Sequence, residues 1–181
     1  MVTDAYGVVI GEAGSISRRQ SNGRQWHTVN LTEVHASPVV IMNLVTHAGK
    51  QPTHVRLRNV GPSSFEFQLE EWDYLDGSHI EEQLHYVVLQ SGIHELPGQR
   101  RLEAGRIKAD HRFKYVPLGG VIDDPVILSQ SQTYEGAEAI VTRQTDADDY
   151  GFFVKVQEEE GNQRAHAEED IGYIAIGRRL L

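Results

Sequence analysis

The stretch EWDYLDGSHIEE, residues 71–82, gathers two aromatic rings, two aspartates, a histidine and three glutamates around one Asp-Gly turn. Three chemistries draw on such residues. A sugar stacks its C–H face on an apolar ring while neighbouring polar groups hydrogen-bond its hydroxyls. Trp72 supplies that ring, and Asp73, Tyr74, Asp76 and Ser78 supply the hydrogen bonds, with His79 at the end of the turn. A metal would use the His-x-Glu spacing, which on a strand puts His79 and Glu81, or His166 and Glu168, on one face. Two ligands do not make a site, and a third would have to come from another strand or subunit. The reading is therefore no metal and no other cofactor. Catalysis fares worse, because Glu158, Glu159 and Glu160 alternate faces on a strand and do not converge as a glycosidase pair must. The sequence carries no Gly-x-Ser-x-Gly, no phosphate loop and no cysteine nucleophile, so it is not read as an enzyme.

Such side chains need strands and a hairpin to hold them. The segments VRLRNV, FEFQLEEW and LHYVVL, and later AIVTRQ, FFVKVQEE and IGYIAI, have period two and predict strands. Successive side chains on a strand point to opposite faces, so Phe65, Phe67 and Leu69 share one face. Glu66, Gln68, Glu70 and Trp72 share the other, which aims Trp72 away from the core, towards a ligand or a subunit interface. Gly-Pro-Ser-Ser at 61–64 and Asp-Ala-Asp-Asp at 146–149 read as turns between strand pairs.

Sliding the chain along itself reveals a repeat. SPVVIMNLVTHAG from Ser37 answers DPVILSQSQTYEG from Asp124, and residues 64–89 answer 151–176, at a constant offset of 87 without a gap. EAGSI at Glu12 recurs as EAGRI at Glu103, so one copy has a longer loop after it. The reading is two tandem all-β copies of about six antiparallel strands, at 12–102 and 103–181, joined at GIHELPGQRR, with residues 1–11 as an attachment segment. Units this small have exposed edges, which predicts a homo-oligomer.

Composition bounds the partners. Zero cysteines remove disulfides and thiolate metal sites, and a net charge of −9 repels phosphate backbones and anionic lipid surfaces. Nucleic acid and membrane insertion are not expected. The first residues, MVTDAYGVVIGEAG, have no basic segment and only a short apolar run, which predicts synthesis in the cytoplasm without a signal peptide.

The pattern SPVV, VRLRNV and SFEFQLEEWDYLDGSHIEEQLHYVVL resembles the H-type lectin module throughout, and the second copy resembles it more weakly at the turn. The resemblance implies a six-stranded antiparallel β-sandwich for each copy, trimeric assembly and binding of galactose-type sugars. It also implies that Trp72 and Asp73 belong to a sugar site between neighbouring subunits. Where family members place a basic residue before the shared arginine, this chain has Pro52, Thr53 and His54.

Residues shared by the copies are Arg56 and Arg143, Glu71 and Glu158, Glu82 and Glu169, His79 and His166, and Tyr86 and Tyr173. Arginine is a planar fork for carboxylates, so these read as structural ion pairs across a sheet or a subunit interface. Trp72, Tyr74 and Gly77 become Glu159, Gly161 and Arg164, so the stacking ring is confined to copy one. The expected function is a carbohydrate-binding adhesin: a trimeric spike or fibre of a phage-like particle or gene transfer agent, binding capsular or other surface polysaccharide alongside other particle proteins. A shallow site implies affinity of about millimolar per sugar, raised by avidity. A trimerisation collar without ligand is the alternative.

Overall fold

The alternation in Ser64–Glu71 works as expected: Phe65, Phe67 and Leu69 are buried together with Val40, Met42, Leu57, Leu84 and Val88. The computed structural model describes residues 1–159 and 165–180, and the expectations for Glu160, Gly161 and Arg164 lie outside them. Among the described residues there are fourteen strands and no helix. The first seven are β1 (Val2–Thr3), β2 (Val9–Gln20), β3 (His27–Asn30), β4 (Pro38–Leu44), β5 (Thr53–Arg58), β6 (Ser64–Glu71) and β7 (His79–Gln90). The next seven are β8 (Gly92–Leu96), β9 (Arg100–Ala109), β10 (Lys114–Pro117), β11 (Asp123–Ser131), β12 (Ile140–Asp148), β13 (Gly151–Glu158) and β14 (Glu169–Arg178).

The second seven copy the first. Sheet β1-β2-β7-β4 faces sheet β3-β6-β5 across the first core, and sheet β8-β9-β14-β11 faces β10-β13-β12 across the second, which is lined by Phe152, Val154, Val156, Ile171 and Tyr173. Neighbours in both are antiparallel. Each unit therefore has seven strands instead of six, because a short strand is added at one sheet edge. That addition moves the boundaries. GIHEL, read as part of the junction, is β8 and pairs with β9 from Gly92↔Ala104 to Leu96↔Arg100, so the expected 102/103 boundary falls inside β9. Residues 1–11, expected outside the repeats, supply β1, where Val2 pairs with Gly11. The turn expected at 146–149 also shifts: β12 bulges near Asp146, runs on to Asp148 opposite Gly151, and turns at Asp149 and Tyr150.

The recurring Glu-Ala-Gly has a packing reason. Gly14 lies opposite Tyr86 and Gly105 opposite Tyr173, and a Cβ on either glycine would come within 2.4 or 2.5 Å of the phenol oxygen. The glycine leaves room for the ring, which packs edge-on against Phe65 or Phe152. The Tyr173 hydroxyl donates to Glu103 at 2.9 Å, and burial together with that carboxylate raises its pKa.

The two units also share a core. Ile10, Val39 and Leu89 of the first pack on Leu102, Ala104 and Ile174 of the second. The exposed edges of β4 and β5 are closed by glutamines from β11 and the residue after it. Gln132 accepts from Val40 N and donates to Val40 O, while Gln130 accepts from Met42 N and donates to Val55 O. Edge groups left without partners would template unwanted strand pairing, and amide side chains satisfy them here.

Candidate functional site

Each repeat holds a histidine clamped by two glutamates. His79 has Glu71 3.0 Å from Nδ1 and Glu82 3.2 Å from Nε2, and His166 has Glu158 and Glu169 each at 3.1 Å. Burial alone would lower the His166 pKa, but the bonds to Glu169 and Glu158 outweigh it and raise it. Glu82 is held the other way: burial pushes it up, and the Gly49 and Ala48 amides, the Thr46 hydroxyl and His79 bring it down to about 2. Glu169 repeats this set with Thr133 Oγ1 and the amides of Glu135 and Gly136, and is also lowered.

The repeats differ in what reaches these glutamates. Arg56, 1% exposed, crosses from β5 to the second unit, where it lies 3.2 Å from Glu169, donates to Glu138 O at 3.1 Å and rests over the Tyr134 ring at 4.7 Å. The shared arginines are expected to pair across a sheet or a subunit interface, whereas Arg56 pairs between the two repeats of one chain. Arg143 is exposed and donates to Gln157 of its own sheet.

The Asp-Gly turn lies at the same junction. Trp72 and Tyr74 face Val141 and Arg143 of β12 and Gln157, Glu158 and Glu159 at the end of β13, enclosing a cleft of about 470 Å³. Trp72 is half-buried against His54, with ring centroids 5.3 Å apart, and Tyr74 is 73% exposed. Asp73 ties the turn to the second repeat: its amide donates to Glu159 at 3.0 Å and its carboxylate accepts from Ala139 N at 3.3 Å. Asp76 accepts from Ser78 N and shapes the turn, where Gly77 has φ of 71°.

Of the six residues expected to bind a sugar, Trp72 and Tyr74 line the cleft, Asp73 borders it as a tie, Asp76 works within the turn, and the Ser78 hydroxyl donates to Ser21 O of its own repeat. His79 is set apart, because both ring nitrogens are engaged by buried glutamates. Of the shared residues expected to be structural, Arg56, Glu71, Glu82, Glu158, His166, Glu169 and the two tyrosines are all in these clusters or the cores. The His-x-Glu pairs do not form: Glu81 and Glu168 are exposed, and Glu168 lies 3.9 Å from Lys114. The acids beside His166 are instead Glu138 and Glu158, within 4.8 Å of one another and of the ring, and Gln51 stands at the position of Glu138 in the first repeat. Sequence reasoning missed Tyr134, Gln130, Gln132 and Glu138. These are not shared with the first repeat, which has His47, Asn43, Val45 and Gln51, so a search for common residues passes over them.

The fold and this geometry define an all-β protein of two antiparallel repeated units, joined by a buried ion cluster and carrying an aromatic cleft between them. Over 175 residues the chain is 29% identical to Halomucin of Haloquadratum walsbyi (strain DSM 16790 / HBSQ001), an alignment covering 90% of this chain and 2% of that protein. The chain thus spans a small part of the length of the curated relative it matches. No family model matches it, and no solved structure does.

Proposed function

We propose that the chain is a carbohydrate-binding adhesin whose ligand occupies the cleft between the Trp72–Tyr74 turn and strands β12 and β13. The observation that carries this reading is the cleft's make-up: two aromatic rings on one wall, and a guanidinium, an amide and two carboxylates on the other. Rings take the apolar face of a pyranose, and planar polar groups take its hydroxyls. In this reading each unit is an H-type lectin-like sandwich and the chain assembles as a trimer. Three weak sites on one body then bind a polysaccharide by avidity. The setting that suits such a multivalent binder is an adhesive spike or fibre of a phage-like particle, on whose surface it meets capsular or other cell-surface glycans.

The test is binding to an array of bacterial capsular and surface polysaccharides, with Trp72→Ala and Tyr74→Ala beside the native chain. Loss of a stacked ring should weaken binding about tenfold at each position. Native binding that neither substitution alters overturns the reading.

A structural collar is the second reading, favoured by Asp73, which bridges the same turn to Glu159 and Ala139. Trp72→Ala separates the two. A lectin loses glycan binding and keeps its mass, whereas a collar loses assembly or shows no change.

A further inference from the structure

The contact between the repeats is heterologous: one surface of the first repeat meets a different surface of the second. Such contacts leave a free copy of each surface at the two ends, which other units can occupy until a ring closes. Because the repeats match position by position, the free surfaces can be named.

The donor surface of the first repeat is Val39, Ile41 and Arg56. Its equivalents in the second repeat are Val126, Leu128 and Arg143. Val39 is fully buried against the second repeat, whereas Val126 is 60% and Leu128 46% exposed. Exposed aliphatic side chains in a row on an edge strand, beside an exposed arginine whose twin is buried, mark a surface missing its cover.

The acceptor surface of the second repeat is the pocket that Arg56 enters, formed by Glu169, His166, Thr133, Tyr134 and the backbone at Gly136 and Glu138. In the first repeat the equivalent residues Thr46, His47, Gly49, Gln51, His79 and Glu82 line an open depression of about 330 Å³. Glu82 keeps the acceptor bonds that Glu169 has from its own loop, and lacks the arginine and the Ser131 hydroxyl, in whose place Leu44 stands.

We propose that a second copy of this chain fills this depression, inserting its Arg143 beside Glu82 and laying its Val126 and Leu128 on the sheet beside the exposed Ala13. Continuity with the internal interface, and the Glu82 carboxylate that an arginine would meet, identify the occupant as this chain itself. The contact is weaker than the internal one. The exposed Lys50 stands at the depression, where the second repeat has Ala137. Val45 replaces Gln132, Asn43 replaces Gln130, and Ser15 stands where Arg106 donates to Pro38 O. His85 also stands where Gly172 makes room for Val39, and must swing aside. Association is therefore reversible and concentration-dependent. This inference gives the trimer reading a surface without depending on its stoichiometry, and it shares Arg143 with the far wall of the cleft.

Sedimentation velocity of the full chain over a range of concentrations tests it. The native chain should move from its 20.3 kDa monomer to a closed oligomer as concentration rises. Arg143→Glu with Leu128→Asp breaks the donor surface, and Val45→Asp breaks the acceptor. All three positions are exposed, so thermal unfolding of the dilute proteins should match the native chain. Each variant alone should stay monomeric, while an equimolar mixture should form a dimer and nothing larger, because one intact donor meets one intact acceptor. A native chain that remains monomeric, a variant that keeps the native mass, or a mixture that does not pair overturns the proposal. An oligomer of other than three chains that is broken by these variants contradicts only the trimer reading, and glycan binding is read in Val45→Asp, which leaves every residue of the cleft in place.

Discussion

Arg56 and Arg143 occupy the same position in the two repeats, so replacing each by alanine compares one residue in two environments. At Arg56 the guanidinium neutralises Glu169 at 3.2 Å and lies 3.6 Å from Glu70, both nearly or fully buried. Removing it takes the permanent cation from two buried carboxylates, which keep only neutral donors and the histidines His166 and His54, leaves Glu138 O without its donor and takes a cation from the Tyr134 ring. Breaking a buried pair by deleting one partner costs about 3–5 kcal/mol, most of it the penalty of the uncompensated charge. In a chain of this size that lowers Tm by roughly 6–20 °C. Arg143 loses one long bond to Gln157 in solvent, worth about 0–0.5 kcal/mol. The comparison belongs in dilute protein, where self-association adds nothing to apparent stability, and urea unfolding with a common m-value reads the difference. If Arg56→Ala costs less than about 1 kcal/mol, or no more than Arg143→Ala, the buried cluster is not what joins the repeats.

Three more outcomes follow from the same geometry. Gly105→Ala puts a methyl 2.5 Å from the Tyr173 oxygen and should destabilise by about 1–3 kcal/mol, read by thermal unfolding, although glycine to alanine in an exposed strand would be harmless. Gln132→Ala strands the buried N–H and C=O of Val40 and should cost about 1–3 kcal/mol, with faster amide exchange at Val40 as its signature. On pH, the folded His166 pKa lies above 6.5, so its clamp contributes fully below 6.5 and is lost as pH rises through the raised value. The folded pKa values of Glu169 and Glu82 lie below 4.5, so their contributions are present above 4.5 and fade as pH falls, for Glu82 through about 2. Urea midpoints should fall on both sides of that window, and His166→Gln should remove the alkaline fall; an alkaline limb identical in the variant would refute the clamp.

The repeat was legible because strands impose a period of two and the second copy keeps the spacing of the first, at an offset of 87 that Pro38 to Leu89 holds without a gap. The seventh strand was not. Gly92–Leu96 contains the glycine, and is followed by the proline and glycine, that locally spell a connection, and only pairing with Arg100–Ala104 makes it a strand. Its counterpart β1 is two residues long, too short for self-comparison to register. Parity assigned Gln68 and Glu70 to the face away from the core correctly, yet both are buried, because the second repeat covers that face. Shared residues identified the ion clusters, but sharing concealed the asymmetry: Arg56 and Arg143 are alike in sequence and opposite in exposure. What distinguishes them is the neighbour each one meets, and no local pattern encodes that.

The cleft and the ion cluster are not independent. One wall of the cleft belongs to each repeat, so its width is set by whatever holds the repeats together, and Arg56, Gln130, Gln132 and Asp73 do that. Asp73 is the direct link, since the residue beside Trp72 is anchored to Ala139, next to the Glu138 carbonyl that Arg56 grips. A ligand spanning the cleft gains affinity from walls that are already in position, because ordering them on binding would cost free energy. Asp73→Ala removes the carboxylate tie to Ala139 N while leaving the backbone bond to Glu159, Trp72, Tyr74 and the far wall in place. It should therefore weaken glycan binding without removing any stacking surface, and cost about 1–3 kcal/mol of stability because the N–H of the buried Ala139 loses its acceptor. Equal affinity in Asp73→Ala and the native chain would mean that the ligand touches one wall only, and that the second repeat serves assembly alone.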